Sequence, residues 1–145
     1  MSITNKISAW EDKHQVYFVI LRVALGMVLA FRGIYFLTTI RPLFSLIEQS
    51  RLNQLNMNMP LAMVISWVHT LGGAFIILGF LTRISAWAQI PIVLGAVVFI
   101  NLNSSLSRSF PELLLSVLVL IASIIFAFAG GGKISMDNYA KNHLL

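Results

Sequence analysis

Four stretches of this chain, Val16–Ile40, Leu61–Leu81, Ile84–Leu102 and Pro111–Ala129, are nearly free of charge. Each is close to the roughly 20 residues that a helix needs to cross the hydrocarbon core of a bilayer. Together they fill more than half of the 145 residues. A globule of this size has too little interior to hide so much apolar surface, so its outside would be apolar as well. Charged residues make up only 10% of the chain, and the mean hydropathy is +0.86. The solvent these segments require is lipid. The sequence therefore predicts an all-α fold, an integral membrane four-helix bundle over residues 16–129, with tails at 1–15 and 130–145.

Local signals support the spans. Pro60 and Pro111 fall where a helix begins, a position whose N–H has no intrahelical acceptor. Pro91 lies inside the third span and is expected to kink it or loosen one turn. "GGGK" at 130–133 reads as a glycine C-cap on the fourth. The 41–60 connection mixes Leu43, Phe44, Ile47 and Leu55 with polar residues, which fits a short interfacial helix. Glu11 and Asp12 precede a first apolar run too long for the core of a cleavable signal, so that run is expected to stay as a span. Four spans put both termini on one side with Lys6, Lys13, Arg83, Lys133 and Lys141, against Arg41, Arg51 and Arg108 on the other. The excess of basic residues places the termini in the cytoplasm of a bacterial-type inner membrane. Trp67, Trp87 and Tyr17 are candidate interfacial anchors.

Small and polar residues recur at helical spacing on every span. Gly72 and Gly79 share a face of the second, flanked by His69 and Gly73, and Arg22, Gly26 and Gly33 share one on the first. The third carries Gln89, Ala96 and Asn103, and the fourth Glu112, Ser116, Ser123 and Gly130. Helices in lipid associate through close backbone approach, so these stripes are expected to face one another, with Gly26, Gly33, Gly72, Gly73 and Gly79 as packing positions.

Ionisable groups within a span are expensive and are usually paired or functional. Arg32 lies about 12 Å from the end of its span and His69 about 13 Å from the start of its own. Glu112, Asn101 and Asn103 occupy the same, non-cytoplasmic half. Arg32 is about 80° off the glycine face and is expected to point between helices, where Glu112 is its nearest candidate anion. Arg22, near the opposite end, is expected to snorkel to headgroups. The outer cluster of His69, Arg32, Glu112 and Asn101 has two readings. It is a hydrogen-bonded lock that fixes helix register, or it is a small-molecule site. An imidazole that can donate or accept, beside an arginine able to stabilise an anion, suits the headgroup of a membrane quinone. Tyr35 and Phe36 offer ring surface.

Other chemistries find less support. No cysteine is present, which removes disulfides, thiol redox centres and thiolate metal sites. The net charge of +5 is scattered, without the basic aromatic stripe that nucleic acid requires. His14 and His143 lie in the tails, so a haem would lack a second axial histidine within the spans. "MNM" at 57–59 offers thioethers to copper but reads better as packing. No metal site, phosphate loop or nucleophilic triad is readable, and Glu11, Asp12 and Asp137 read as isolated solvated carboxylates. No intrinsic cofactor is expected.

"LRVALGMVLAFRGIYFL", "HTLGGAFIILGFLTR" and "PELLLSVLVLIASIIFAFAGGGKISMDN" resemble, in order, three diagnostic stretches of the DoxX-like membrane proteins. The resemblance covers most of residues 20–138 and implies four transmembrane helices. It also implies a small membrane subunit of a quinone-linked oxidoreductase complex, with broader relatives acting as adaptors or assembly factors. Many members carry His-Gly-x-x-Lys in the first span, where this chain has Arg32, Gly33 and Phe36. Many carry a glutamate three residues before the paired glycines, where this chain has His69. Losing the lysine and the glutamate together fits the removal of an ion pair, since one charge left alone would be costly. The expected function is the membrane subunit of a quinone-linked redox complex, and the alternative is a non-catalytic integral subunit or assembly adaptor. The expected partners are the bilayer and other membrane subunits or further copies of the chain.

Overall fold

The computed structural model describes residues 2–39, 58–101 and 110–144, with 41, 45 and 48 singly between them. Most of the interfacial helix expected in the 41–60 loop, together with Asn103 and Arg108, lies outside the described residues. The described elements are α1 (Ile3–Lys13), α2 (Gln15–Thr38), α3 (Asn58–Leu78), α4 (Thr82–Gly95), a π-helical continuation over Ala96–Asn101, α5 (Phe110–Ala129) and α6 (Met136–His143). All of them are helical.

Among the described residues three helices are long and apolar enough to cross a membrane, over Gln15–Thr38, Met59–Leu78 and Phe110–Ala129. The fourth apolar helix is shorter in α-helical form and reaches Asn101 only through its π-helical end. Pro91 does not break it: the α-helix runs through the proline, and the wider winding begins at Ala96. The distribution of side chains is the reverse of a soluble protein's. Phe31 is 78% exposed while Ser123 and Gln89 are fully buried. A hydrocarbon solvent accounts for both at once, because it welcomes the phenyl ring and excludes unsatisfied hydroxyl and amide groups.

The helices pack in chain order, α2 on α3, α3 on α4 and α4 on α5, with only slight contact between α2 and α5. The interior holds Phe18, Leu25, Leu29, Ile76, Val93 and Phe126. Glycine governs the α2–α3 contact. A Cβ on Gly73 would sit 2.5 Å from the Ala30 nitrogen, and one on Gly26 would sit 2.7 Å from the Gly73 carbonyl oxygen. A Cβ on Gly33 would collide with the Thr70 backbone. The two backbones therefore touch, which is the geometry that dispersion alone can stabilise in lipid.

Three residues, Gly79 to Leu81, turn the chain from α3 into α4. Gly79 (φ 69°) and Leu81 (φ 48°) are both left-handed, a strained state for leucine. The strain is offset by Asp137, whose carboxylate oxygens accept the N–H groups of Leu81 (2.6 Å) and Thr82 (3.0 Å). The Asp137 N–H donates in turn to the Gly79 carbonyl (2.9 Å). Asp137 is thus a side-chain cap for α4, not the solvated carboxylate that its position in a tail suggests.

Arg22 departs further from expectation. It does not snorkel to headgroups; it is 4% exposed, and its guanidinium donates to the carbonyl oxygens of Gly131 and, at 2.9 Å, Ile134. The reason is the glycine turn. Gly130 (φ 83°) and Gly132 (φ 78°) fold the chain back beneath the bundle and present bare carbonyls to the cation. The N-terminal tail is likewise ordered: α1 lies against α5, with Trp10 edge-on to Phe18, which packs on Phe126 at 4.9 Å.

Candidate functional site

Toward the C-terminal end of α2 and the middle of α3, Arg32, Phe36 and His69 come together. His69 is buried, and its Nδ1 lies 3.1 Å from the Ile65 carbonyl oxygen. A carbonyl can only accept, so Nδ1 carries the proton in that bond, and in a neutral ring Nε2 is left as an acceptor. Phe36 meets the imidazole edge-on, with ring centroids 6.5 Å apart, and packs against Tyr35 on its other side. The half-buried Arg32 stands close enough for its charge to act on the imidazole. A hydrogen-bond acceptor, a guanidinium and the Phe36 ring therefore share one corner between two helices, while Tyr35 is exposed on the flank.

The other sequence-predicted residues are placed as follows. Glu112 is half-buried in the first turn of α5, where its carbonyl accepts the Ser116 hydroxyl (3.0 Å). Asn101 ends the π-helical segment, and its side chain lies outside the described residues. Gly26, Gly33 and Gly73 line the α2–α3 contact, and Gly79 forms the turn beside Arg22 and Ser135. Gly72 faces α4, where the Gln89 amide occupies the space a Cβ would need. Gln89 Nε2 donates to the Val68 carbonyl (2.8 Å), and its Oε1 has no partner among the described residues.

An apolar groove of about 740 Å³ opens where α2 and α5 scarcely touch, and α1 covers one end of it. Val28 on α2 and Leu115 on α5 belong to its lining. Arg32 follows Val28 by four residues and Glu112 precedes Leu115 by three, so each continues the groove's own helix face by one turn. The lining itself ends at Val28 and Leu115, one turn short of Arg32 and Glu112. Among the described residues no group of three His, Asp or Glu side chains could hold a metal ion.

A family model described as DoxX matches residues 17–102, more than half of the chain. The chain belongs to the DoxX family. No curated protein and no solved structure matches it. The matched segment of this DoxX protein contains Arg22, Arg32, His69, Asn101 and every packing glycine from Gly26 to Gly79. It stops short of Glu112, and of the glycine turn and Asp137 that Arg22 and the head of α4 hold. Sequence reasoning passed over Arg22 and Asp137 as structural centres. The signal that could have found them is the glycine run itself, which can bring a tail back within reach of a buried cation.

Proposed function

We propose that this DoxX protein is the membrane subunit of a quinone-linked redox complex in a bacterial-type inner membrane, with both termini in the cytoplasm. His69 and Arg32 contact the quinone headgroup, Phe36 offers ring surface, Glu112 orients Arg32, and a partner subunit carries the redox cofactor. What supports this reading is that the helix faces lining an oily groove carry, one turn further on, Arg32 on α2 and Glu112 on α5. A quinone is built the same way, with an isoprenoid tail and a ring whose carbonyl oxygens accept hydrogen bonds. Arg32 would donate to one such oxygen, and Nε2 of His69 would accept from the hydroxyl of the reduced ring.

The test is quinone binding by the purified protein and by His69→Ala. One hydrogen bond lost from a desolvated site weakens binding by up to about tenfold. Equal affinity in the two proteins would remove His69 from the site. The same groove also favours a second reading, an adaptor that seats a helix of another subunit between α2 and α5. Mass spectrometry of material extracted in mild detergent separates the two: a retained quinone supports the first, and a stoichiometric protein partner without quinone supports the second.

A further inference from the structure

A second cavity, of about 530 Å³, lies between the head of α4, the glycine turn and α6. Arg83, Lys133 and Lys141 line it, brought together from three separate parts of the chain, and Asp137 is the carboxylate among them. That carboxylate is engaged by the Leu81 and Thr82 N–H groups. The side chain of Arg83 lies over Gly130, where a Cβ would come within 2.9 Å of its Nε. Asn138 ties α6 to the turn by donating to the Lys133 carbonyl (2.8 Å). The cations are therefore carried on a folded frame.

The cavity is also graded in polarity. Its floor includes Leu81, Ile84 and Ala129. Beyond Ile84 and Ala129, Trp87 meets Phe128 edge-on at 5.6 Å, both rings about half exposed on the flank of the bundle. Basic residues that only set topology need no common cavity, no apolar floor and no aromatic pair beneath. An amphiphile with a negative head needs all three, and basic pockets at the ends of spans suit anionic headgroups.

We propose that this cavity binds the phosphate of an anionic phospholipid, with Arg83, Lys133 and Lys141 as its cationic contacts and the acyl chains passing Trp87 and Phe128. The site is independent of the quinone reading, since it shares no residue with the His69 corner. The test is native mass spectrometry of the protein from micelles doped equally with phosphatidylglycerol and phosphatidylcholine. The wild type should retain phosphatidylglycerol preferentially, and Lys133→Gln and Lys141→Gln should each reduce that preference about fivefold. Both lysines are exposed, so these variants keep the fold if Arg83→Gln does not. Lys13→Gln, which changes a basic residue of α1 that lines neither cavity, should leave the preference unaltered. Equal retention of the two lipids by the wild type would overturn the proposal, as would an equal loss in the α1 variant. Displacement of the lipid by millimolar glycerol 3-phosphate would assign the cavity to a soluble phosphate and overturn it as well.

Discussion

The Arg22 guanidinium donates to the Ile134 carbonyl oxygen across 2.9 Å, joining the first long helix to the segment that follows the last one. With the companion bond to Gly131, this cation ties the first long helix and the segment after the last one together at one end of the bundle. Replacing Arg22 by methionine keeps the apolar stem and removes both donors. Hydrogen bonds to a charged group are worth about 1.5–3 kcal/mol, so the loss should register clearly in detergent unfolding curves. Hydrogen exchange should rise over residues 131–138 in the same variant. Arg22→Lys, a point charge without the planar fork, should fall between the two. Unchanged exchange in the methionine variant would show that the turn is held by something else.

Asp137 makes a different prediction, because it satisfies backbone donors at the head of α4 instead of neutralising a charge. Asp137→Ala strips the cap from Leu81 and Thr82 and should cost about 0.5–2 kcal/mol. Asp137→Asn keeps one acceptor oxygen and should cost less. The left-handed Leu81 offers a complementary gain: Leu81→Gly relieves the backbone strain and should partly rescue the alanine variant. Thermal unfolding of the four proteins in one detergent is sufficient to compare them.

Gly73 and Gly95 differ in whether a neighbour stands where a Cβ would go. Gly73→Ala places a methyl 2.5 Å from the Ala30 nitrogen, so α2 and α3 must separate along their contact. Overpacking of this kind costs about 1–3 kcal/mol. Gly95 has nothing within 4 Å of its missing Cβ and lies in helical backbone. Gly95→Ala should therefore stabilise the protein by up to about 1 kcal/mol through helix propensity. The opposite signs of two identical substitutions test the contact directly.

The all-helical class and the membrane setting were legible because a long apolar run admits few alternatives in so short a chain. That Arg32 and His69 belong to the same half of their spans follows from simple geometry, since rise per residue gives depth. What stayed illegible is what depends on the chain folding back. Nothing in the spacing of Arg22 announces a partner more than a hundred residues away, and Asp137 stands in a polar tail where carboxylates are ordinarily solvated. The N-terminal helix had a local signal that the tail assignment passed over. Ile3, Ile7 and Trp10 follow one another at helical spacing, and Ile7 packs on the core. Ser135 was also readable as an N-cap, and its hydroxyl does accept the Asn138 N–H at 3.2 Å.

The groove and the polar corner can be tested as parts of one site by separating the tail of a quinone from its head. Ala122 lines the groove on α5, and Ala122→Phe fills space there about 15 Å along the helix from Glu112. If the groove holds the isoprenoid tail, this variant should weaken binding of a long-tailed quinone while leaving a tail-less analogue unaffected. His69→Ala should weaken both by a similar factor, because it removes a contact to the ring that both ligands share. The two substitutions involve different parts of the ligand, so their effects on the long-tailed quinone should add as free energies. If Ala122→Phe leaves long-tail affinity untouched, the groove belongs to lipid or to a partner helix and the quinone reading loses half of its support. If His69→Ala spares both ligands while Ala122→Phe harms the long one, the protein holds tails but does not read the ring.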